Sequence, residues 1–384
     1  MRKQDHKRES GNGGVLLPPA IGYSSRVLLH LARTYPVAGK YLGRMAILGL
    51  INLINAPFRI YEKAIINPEF KSQTIDPPPI FILGHWRSGT THLHNILCRD
   101  PAMGYLTTYQ SVFPDTMIAS AGKLLFENFT RWLIPRRRAG DNVRLNVNFP
   151  QEEEFALGAT IPLSFYYFWM YPNNWQELYE KAIHFREVPE SDIERWLRYY
   201  RIMIRKALRV NGGDVFLSKN PAHTGRVAFL AKAFPGARFI YLFRNPVSVY
   251  LSTVHFFEEM MPRLQLQRFG RDHIRKMAME LYLKLLTDYR QQKAKVTENN
   301  IVEVSFEELE KDPETQLHKI YATLQISGFD NAMIYFKKYL ERQSGYRKNR
   351  FVVSRKEIEA ITGELQPFMD YYGYGVPDTI HIED

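Results

Sequence analysis

A glycine-bounded loop with basic and hydroxyl side chains runs from Gly84 to Thr91. The apolar run Ile80–Leu83 before it predicts a buried strand, and a helix is predicted to begin at Thr90. A strand, a glycine loop and a helix start direct backbone N–H groups and the positive end of the helix dipole towards an anion. The stretch therefore predicts a binding site for a phosphate-like group.

The loop differs from the Walker A motif of P-loop kinases and NTPases in the position of its cation. Gly84 and Gly89 are separated by four residues, as that motif requires, but Thr90 stands where it has lysine. The cation is Arg87, inside the loop. Those enzymes also need a strand-end aspartate to hold Mg²⁺. The other predicted strands end instead at Lys219, Arg244 and Ser305. A kinase or NTPase is therefore the less favoured enzyme class.

Strands that alternate with helices are the other clear signal. Besides Ile80–Leu83, strands are predicted at Val215–Lys219, residues 238–244 and Ile301–Ser305. This alternation implies an α/β fold with a parallel sheet and with ligands at the carboxyl ends of the strands. Three segments begin at such ends, namely residues 84–91, 219–223 and 244–252. We therefore expect them to form one site.

Taken together, these segments resemble the sulfotransferases that use 3′-phosphoadenosine 5′-phosphosulfate (PAPS). Residues 87–91 are similar to the 5′-phosphosulfate loop of that family. Residues 239–246, with Ser252 eight residues after Arg244, are similar to its 3′-phosphate site. Two further segments are typical of the broad bacterial-type branch, residues 219–223 and the acidic stretch 151–154.

The resemblance covers residues 76–374, and it is firmest over residues 80–98 and 215–253. It implies a P-loop-type three-layer fold, in which helices flank a central parallel sheet, with helical insertions and an N-terminal helical extension. It also implies in-line transfer of a sulfuryl group from PAPS to an acceptor hydroxyl. Because lysine and arginine alone can support the transfer of this singly charged group, we expect no metal.

The resemblance assigns donor-binding roles to loop and strand-end residues. Backbone N–H groups and hydroxyls of the loop would hold the 5′-phosphate, from Ser88, Gly89, Thr90 and Thr91. Arg87 would neutralise charge on the leaving group, so it counts as both donor-binding and catalytic. Arg244 and Ser252 would bind the 3′-phosphate. Arg347 and Lys348 are candidates for a second basic contribution, although a solvated charge run fits them equally well.

The candidate catalytic residues are a lysine, a histidine and an acidic helix start. Lys219 matches a lysine that lies near the sulfuryl group in relatives, and His223 could be a base or a capping residue. A carboxylate can accept a hydroxyl proton when an apolar pocket raises its pKa. We therefore expect the general base to be Glu153, with Glu152 second. The alternative is that these carboxylates only complement a helix dipole.

Composition limits the partners. The 384 residues carry 51 Lys+Arg and 40 Asp+Glu, a net charge of +11, which favours a nucleotide or an anionic membrane surface. The basic residues are scattered and no nucleic-acid-binding motif is present, so no nucleic-acid partner is expected. Cys98 is the only cysteine, which suits a reducing compartment and predicts a cytoplasmic protein.

Three regions are predicted along the chain. Residues 1–20 form a disordered basic tail, and residues 21–75 a helical extension that packs on the core or on a membrane surface. Residues 76–384 form the sulfotransferase domain, with a helical and aromatic insertion on the acceptor side at about 101–210. The apolar stretch 45–58 is shorter than the ~20 residues of a spanning helix. A core helix is preferred for it, and an interfacial helix is the alternative.

The sequence offers two classes of acceptor. The aromatic run 165–171 either belongs to the core or lines an apolar pocket. With the apolar stretch 45–58 it favours a sterol or lipid alcohol, and a carbohydrate hydroxyl is the alternative because aromatic rings also stack on sugars. A non-enzymatic protein that contacts membranes peripherally would leave the three strand-end segments unexplained.

Overall fold

A parallel sheet forms the centre of the molecule. The computed structural model describes residues 19–72, 74–133, 146–342 and 351–384. The strands are β1 (Ile80–Leu83), β2 (Met103–Gly104), β3 (Val215–Lys219), β4 (Arg238–Phe243) and β5 (Ile301–Ser305). They pair in parallel in the order β2-β3-β1-β4-β5. The four predicted strands are present, and the two-residue β2 is an addition at one edge.

Helices surround the sheet. The first half of the described chain has α1 (Ser25–Thr34), α2 (Leu42–Tyr61), α3 (Thr90–Leu97), α4 (Thr108–Val112), α5 (Ser120–Leu133), α6 (Glu154–Thr160), α7 (Trp175–Ala182) and α8 (Glu190–Asn211). The second half has α9 (Val227–Ala233), α10 (Pro246–Leu264), α11 (Arg271–Lys293), α12 (Phe306–Lys311), α13 (Pro313–Thr323), α14 (Phe329–Glu341) and α15 (Arg355–Tyr372). A separate parallel pair joins β6 (Phe351–Ser354) to β7 (Ile380–Glu383).

The sheet separates two apolar cores because side chains alternate along a strand. In β1, Ile80 and Ile82 enter one core, together with residues of α3, α13 and α14. Phe81 and Leu83 enter the other core, which also contains residues of α8, α10, α11 and α15. Helices therefore cover both faces of the sheet, and the predicted three-layer α/β fold is confirmed.

The N-terminal helices pack on the central domain, and their buried side chains join the core that contains Phe81 and Leu83. The ring of Tyr23 lies edge-on to that of Tyr167, with centroids 5.6 Å apart, and Ser24 donates its backbone N–H to the carbonyl of Ala159 at 2.7 Å. The stretch 45–58 lies inside α2, where Leu48 is buried but most of the apolar side chains are exposed. Among the described residues, one helical stretch, Gly39–Phe70, is long and apolar enough to cross a membrane, a test that core helices also pass.

The predicted tail lies almost wholly outside the described residues, which begin at Pro19. The division into an extension, a domain and an insertion remains a prediction. Residues 101–210 contain β2 and the helices from α4 to α8. The aromatic run forms a short 3-10 turn, Phe165–Trp169, between α6 and α7.

Candidate functional site

Two glycines give the loop between β1 and α3 its path. Gly84 has φ +141° and Gly89 has φ +98°, a region that L-residues with side chains rarely adopt. A Cβ on Gly84 would lie 2.5 Å from the carbonyl oxygen of Leu242, and one on Gly89 would lie 2.1 Å from the Phe306 ring. The loop therefore approaches its neighbours as closely as glycine allows, and any larger residue would displace it.

Hydrogen bonds fix the loop from both sides. Gly84 donates its N–H to Thr224 Oγ1 at 2.8 Å, and Ser88 Oγ donates to the carbonyl of His85 at 2.8 Å. Thr253 Oγ1 on α10 donates to the carbonyl of Trp86 at 3.3 Å. The start of α3, where Thr90 is buried, thus has a defined position relative to the sheet. The first N–H groups of a helix have no acceptor within it, so they are suited to an anion.

The structure brings the two predicted phosphate segments together. Arg87 donates Nε–H to Ser252 Oγ at 2.9 Å, and Arg244 donates Nη1–H to the backbone carbonyl of Arg87 at 3.2 Å. Both guanidinium groups also lie over aromatic rings, Arg87 over Phe256 at 5.5 Å and Arg244 over Phe306 at 4.7 Å. Two cations and a helix N-terminus therefore meet at the carboxyl ends of β1 and β4.

Lys219 and Glu152 form an ion pair at the end of β3. Lys219 Nζ lies 2.5 Å from Glu152 Oε1, and the Tyr166 hydroxyl donates to Glu152 Oε2. The Glu152 side chain is 12% exposed, whereas that of Glu153 is 1% exposed. Burial and the nearby Glu152 carboxylate raise the pKa of Tyr166 well above its usual value, so its hydroxyl stays a donor.

Glu153 lies inside the core. It accepts hydrogen bonds from Ser218 Oγ and, at 2.8 Å, from the Tyr200 hydroxyl, and it lies 3.3 Å from His223 Nε2. Burial alone would raise the pKa of Glu153, but hydrogen bonds from His223 and Ser218 lower it below its usual value. Burial lowers the pKa of His223, which has no exposed surface in its side chain. The geometry makes both residues parts of a closed network.

Glu154 forms the third acidic contact, with a residue that sequence reasoning missed. Arg226 binds it in bidentate fashion, with Nη1–Oε2 at 2.7 Å and Nη2–Oε1 at 3.0 Å. Burial would raise the pKa of Glu154, but the Arg226 charge and its hydrogen bonds lower it to about 2. Asn220 Nδ2 adds a hydrogen bond at 2.8 Å. Each of the three glutamates thus contacts the end of β3 or the segment that follows it.

The aromatic run packs behind the ion pair. Residues 165–171 are all buried, and Trp86 of the loop contacts the rings of Phe165, Tyr166 and Phe168 with centroids 5.9–6.0 Å apart. Tyr166 is the member that reaches Glu152. The run therefore belongs to the core and also supplies an apolar wall between the loop and the acidic residues.

The end of the chain contacts the carboxyl end of β4, which the sequence did not indicate. Tyr372 stacks on Phe243 with centroids 4.4 Å apart, and Asn245 Nδ2 donates to the carbonyl of Gly375 at 2.8 Å. Arg347 and Lys348, the predicted second basic contribution, lie in residues 343–350, outside the described residues. Their role stays a prediction.

Comparisons with known proteins identify the family of the chain. A family model described as "Sulfotransferase family" matches residues 78–331. A relative from Mycobacterium bovis, omega-hydroxy-beta-dihydromenaquinone-9 sulfotransferase Stf3, is 28% identical over 324 residues, covering 84% of this chain and 82% of the relative. The protein of the same name from Mycobacterium tuberculosis matches to the same extent.

Two solved structures share the fold. Sulfotransferase STF9 from Mycobacterium avium superposes with a TM-score of 0.65 and 18% identity, covering 91% of this chain and 90% of that one. Sulfotransferase STF1 from Mycobacterium tuberculosis H37Rv has a TM-score of 0.61 and 18% identity, covering 89% and 90%. At this identity the likeness concerns the fold.

Proposed function

The chain belongs to the sulfotransferase family, and on that premise we propose that it transfers a sulfuryl group from PAPS to the hydroxyl of an apolar, lipid-like acceptor. The observation that carries the proposal is the 2.9 Å hydrogen bond between Arg87 Nε and Ser252 Oγ. It joins the glycine loop to the segment after β4, so that the two candidate anion-binding segments would face one ligand. A donor with phosphate groups at both its 5′ and 3′ positions fits this pair of segments.

The residues present fit such a donor. Glycine at positions 84 and 89 lets the loop pack against Leu242 and Phe306, which fixes the path of the backbone N–H groups that would face a phosphate. Ser88, Thr90 and Thr91 add hydroxyls at the start of α3, and Arg87 adds a positive charge. Arg244 and Ser252 would bind the 3′-phosphate. A guanidinium group stays charged at any pH the protein tolerates, so both arginines act electrostatically.

We propose Glu152 as the general base, ahead of Glu153. Glu152 is the more exposed of the two carboxylates, while Glu153 is enclosed by Ser218, Tyr200 and His223. A base must reach the proton it removes. Glu152 would accept the proton of the acceptor hydroxyl as that oxygen bonds to sulfur. Tyr166 and Lys219 would hold the carboxylate in position.

Lys219 and Arg87 would stabilise the transferring group and the leaving group. Bound PAPS supplies the sulfuryl group, whose bond from sulfur to the 5′-phosphate oxygen breaks as the bond to the acceptor oxygen forms. Lys219 ends β3 next to the Glu152 carboxylate, where its ammonium can face the sulfuryl oxygens. Arg87 stays with the phosphate that leaves as part of 3′,5′-ADP. Cations aimed at developing charge are worth more in a site that excludes water.

The proposed acceptor class is a lipid alcohol. The Stf3 relative is described as acting on an omega-hydroxylated dihydromenaquinone, a lipid. In this chain the apolar wall of Trp86 and the residues around Tyr166 lies beside Glu152. An apolar acceptor could bury its surface there while presenting a hydroxyl to the carboxylate. We propose a cytoplasmic enzyme that contacts membranes peripherally.

Labelled donor tests this acceptor class. The purified protein would be incubated with ³⁵S-PAPS and one acceptor class in each reaction. The classes are a bacterial lipid extract, sterols, long-chain polyprenols and a panel of oligosaccharides. The proposal expects label in the organic phase with lipid acceptors, formed at least about a hundredfold more slowly by the Glu152→Gln variant. Label transferred to oligosaccharides alone would assign the acceptor to carbohydrates and overturn the lipid proposal.

A further inference from the structure

The outer side of α2 and the turn that follows it is continuously apolar. Every residue between 42 and 65 that the structure exposes is apolar, apart from the hydroxyl of Tyr61. The largest members of this surface are Leu50, Leu53, Ile54, Ile60, Tyr61 and Ile65, which are all more than half exposed. An exposed apolar stripe of this length on a soluble domain marks an interaction surface.

The inner side of the same helix is largely polar, whereas an ordinary amphipathic helix turns its apolar side to the core. The buried residues of α2 are Leu48, Asn52, Asn55 and Arg59, and the buried Glu62 follows in the turn after it. Arg59 Nη2 donates to the carbonyl of Gly22 at 2.8 Å. A helix whose polar side faces the protein and whose apolar side faces outward has the polarity expected of a protein surface that meets lipid.

Charged contacts fix α2 in this orientation. The Glu62 carboxylate, wholly buried, accepts backbone N–H groups of Met117 and Ala119 at 3.2 Å and pairs with the buried ammonium of Lys206. Arg59 lies 3.6 Å from the buried Asp115. Removing these charges from their partners is strongly unfavourable. The helix therefore stays attached to the domain, and it would lie along a membrane rather than cross it.

The charge around the apolar surface favours an anionic bilayer over a protein partner. Between residues 19 and 68 the only acidic residue is Glu62, which is buried and paired with Lys206. The same region carries exposed basic residues on α1 and in the turn just before α2, namely Arg26, Arg33 and Lys40. Basic residues close to an anionic leaflet add to the attraction that apolar burial provides.

A neighbouring helix extends the surface. α5 packs beside α2 through Phe58 and Phe126, whose rings meet edge-to-face at 5.6 Å. It exposes Leu124 and, at 79%, Trp132. Tryptophan favours the level of the lipid headgroups because its ring is apolar and its N–H is polar.

We propose that the apolar side of α2 lies in the interface of an anionic lipid bilayer and docks the enzyme on the membrane. The surface is built from residues outside the donor site. It is therefore independent of the proposed chemistry, and either can fail without the other.

Vesicle flotation tests the proposal directly. Wild-type protein is mixed with vesicles of phosphatidylcholine and phosphatidylglycerol, or of phosphatidylcholine alone, and floated on a density gradient. The proposal expects flotation with the anionic vesicles that weakens at high salt. Leu50→Glu with Leu53→Glu should weaken binding roughly a hundredfold, because two exposed leucines can no longer enter the bilayer.

Further variants separate the apolar contribution to vesicle binding from the charge contribution. Ile334→Glu alters an equally exposed apolar residue, at 67%, on α14, and should float like wild type. Arg33→Glu with Lys40→Glu should weaken binding roughly twentyfold or more on anionic vesicles, whereas Lys338→Glu, on α14, should not. All variants should bind 3′,5′-ADP as wild type does, which shows that they are folded.

Two outcomes would overturn the proposal. One is wild-type protein that stays at the bottom of the gradient with anionic vesicles, or leucine variants that float unchanged. The other is a wild-type dimer in light scattering that the leucine variants convert to monomer without any flotation, which would show that a second copy covers the surface.

Discussion

Lys219 Nζ lies 2.5 Å from Glu152 Oε1, although the two residues are 67 positions apart in the chain. Lys219 ends β3, and Glu152 lies just before α6, so the pair connects the central sheet to the segment that carries the acidic residues. Glu153 and Glu154, which follow, turn into the core and bind Ser218 and Arg226. Of three successive carboxylates, one therefore faces the site and two hold the segment in place.

Replacing Glu152 should stop turnover without loss of donor binding. Glu152→Gln removes the proposed base but keeps the shape of the side chain, so kcat should fall roughly 10²- to 10⁴-fold, with little change in the Kd for 3′,5′-ADP. Steady-state assays and calorimetry would measure the two effects. Wild-type kcat in this variant would contradict the assignment.

Replacing Glu153 should lower the stability of the fold and leave the turnover of the folded enzyme nearly unchanged. Glu153→Gln disturbs a buried network with Ser218, Tyr200 and His223, so we expect a lower Tm and a similar activity per folded molecule at a temperature well below it. Thermal denaturation with activity measured on the same samples would show this. Lost turnover with an unchanged Tm would restore Glu153 as the better candidate for the base.

The two segments that meet at the proposed donor site should contribute separately to the affinity for 3′,5′-ADP. Arg244→Ala should raise the Kd for 3′,5′-ADP about 10- to 100-fold, because hydrogen bonds to charged groups are worth roughly 1.5–3 kcal/mol. Ser252→Ala should have a smaller effect in the same direction. Arg209→Ala, an exposed arginine at the end of α8, serves as the control. Unchanged affinity in both site variants would place the nucleotide elsewhere.

Two glycine-to-alanine changes should have opposite effects on the stability of the fold. At Gly89 the positive φ and the Phe306 ring at 2.1 Å from an added Cβ should force the loop to move, so nucleotide binding should be lost and the Tm lowered. At Gly363, inside α15, an added Cβ meets nothing within 4 Å. There alanine should stabilise the helix by about 0.5–1 kcal/mol. A Gly89→Ala variant with wild-type affinity would contradict the described loop path.

The buried pair of Glu154 and Arg226 should make stability depend on acid pH. The pKa of Glu154 falls from 4.5 to about 2 on folding, so the ionised carboxylate stabilises the fold above pH 4.5, and this contribution is lost as the pH falls towards 2. Glu154→Gln leaves the Arg226 charge unpaired and should reduce the unfolding free energy at pH 7 by roughly 3–5 kcal/mol.

Urea unfolding of this variant and of wild type, between pH 7 and pH 3, would measure the difference. The difference should shrink as the pH falls below 4.5. The exposed Glu359 provides the control, since Glu359→Gln should change little at any pH. A difference that stays constant across this range would argue against the pair.

The sequence could predict the sheet, and the meeting of the two candidate donor segments at its edge, because the signals for both are local. The run Ile80–Leu83 and the glycine spacing after it depend on neighbouring residues, and the carboxyl ends of parallel strands meet at one edge in any fold of this class. That rule placed Arg87 near Arg244 and Ser252 without knowledge of the contacts.

The direction in which each acidic side chain points could not be predicted in the same way. Which of Glu152, Glu153 and Glu154 faces the site depends on partners far away in the chain, among them Tyr200 and Arg226. The sequence left an interfacial position of the stretch 45–58 as the alternative to a core helix. It could not decide between them because the polar contacts that turn the apolar side outward, Arg59 with Asp115 and Glu62 with Lys206, cross more than fifty residues of sequence.

Calorimetric titration with 3′,5′-ADP tests the central claim most directly. The purified protein would be titrated with 3′,5′-ADP without and then with Mg²⁺, beside ATP under the same conditions. The account predicts tight binding of 3′,5′-ADP that needs no metal, with little response to ATP. Binding of ATP that requires Mg²⁺, without binding of 3′,5′-ADP, would identify the loop as an NTPase site and contradict the account.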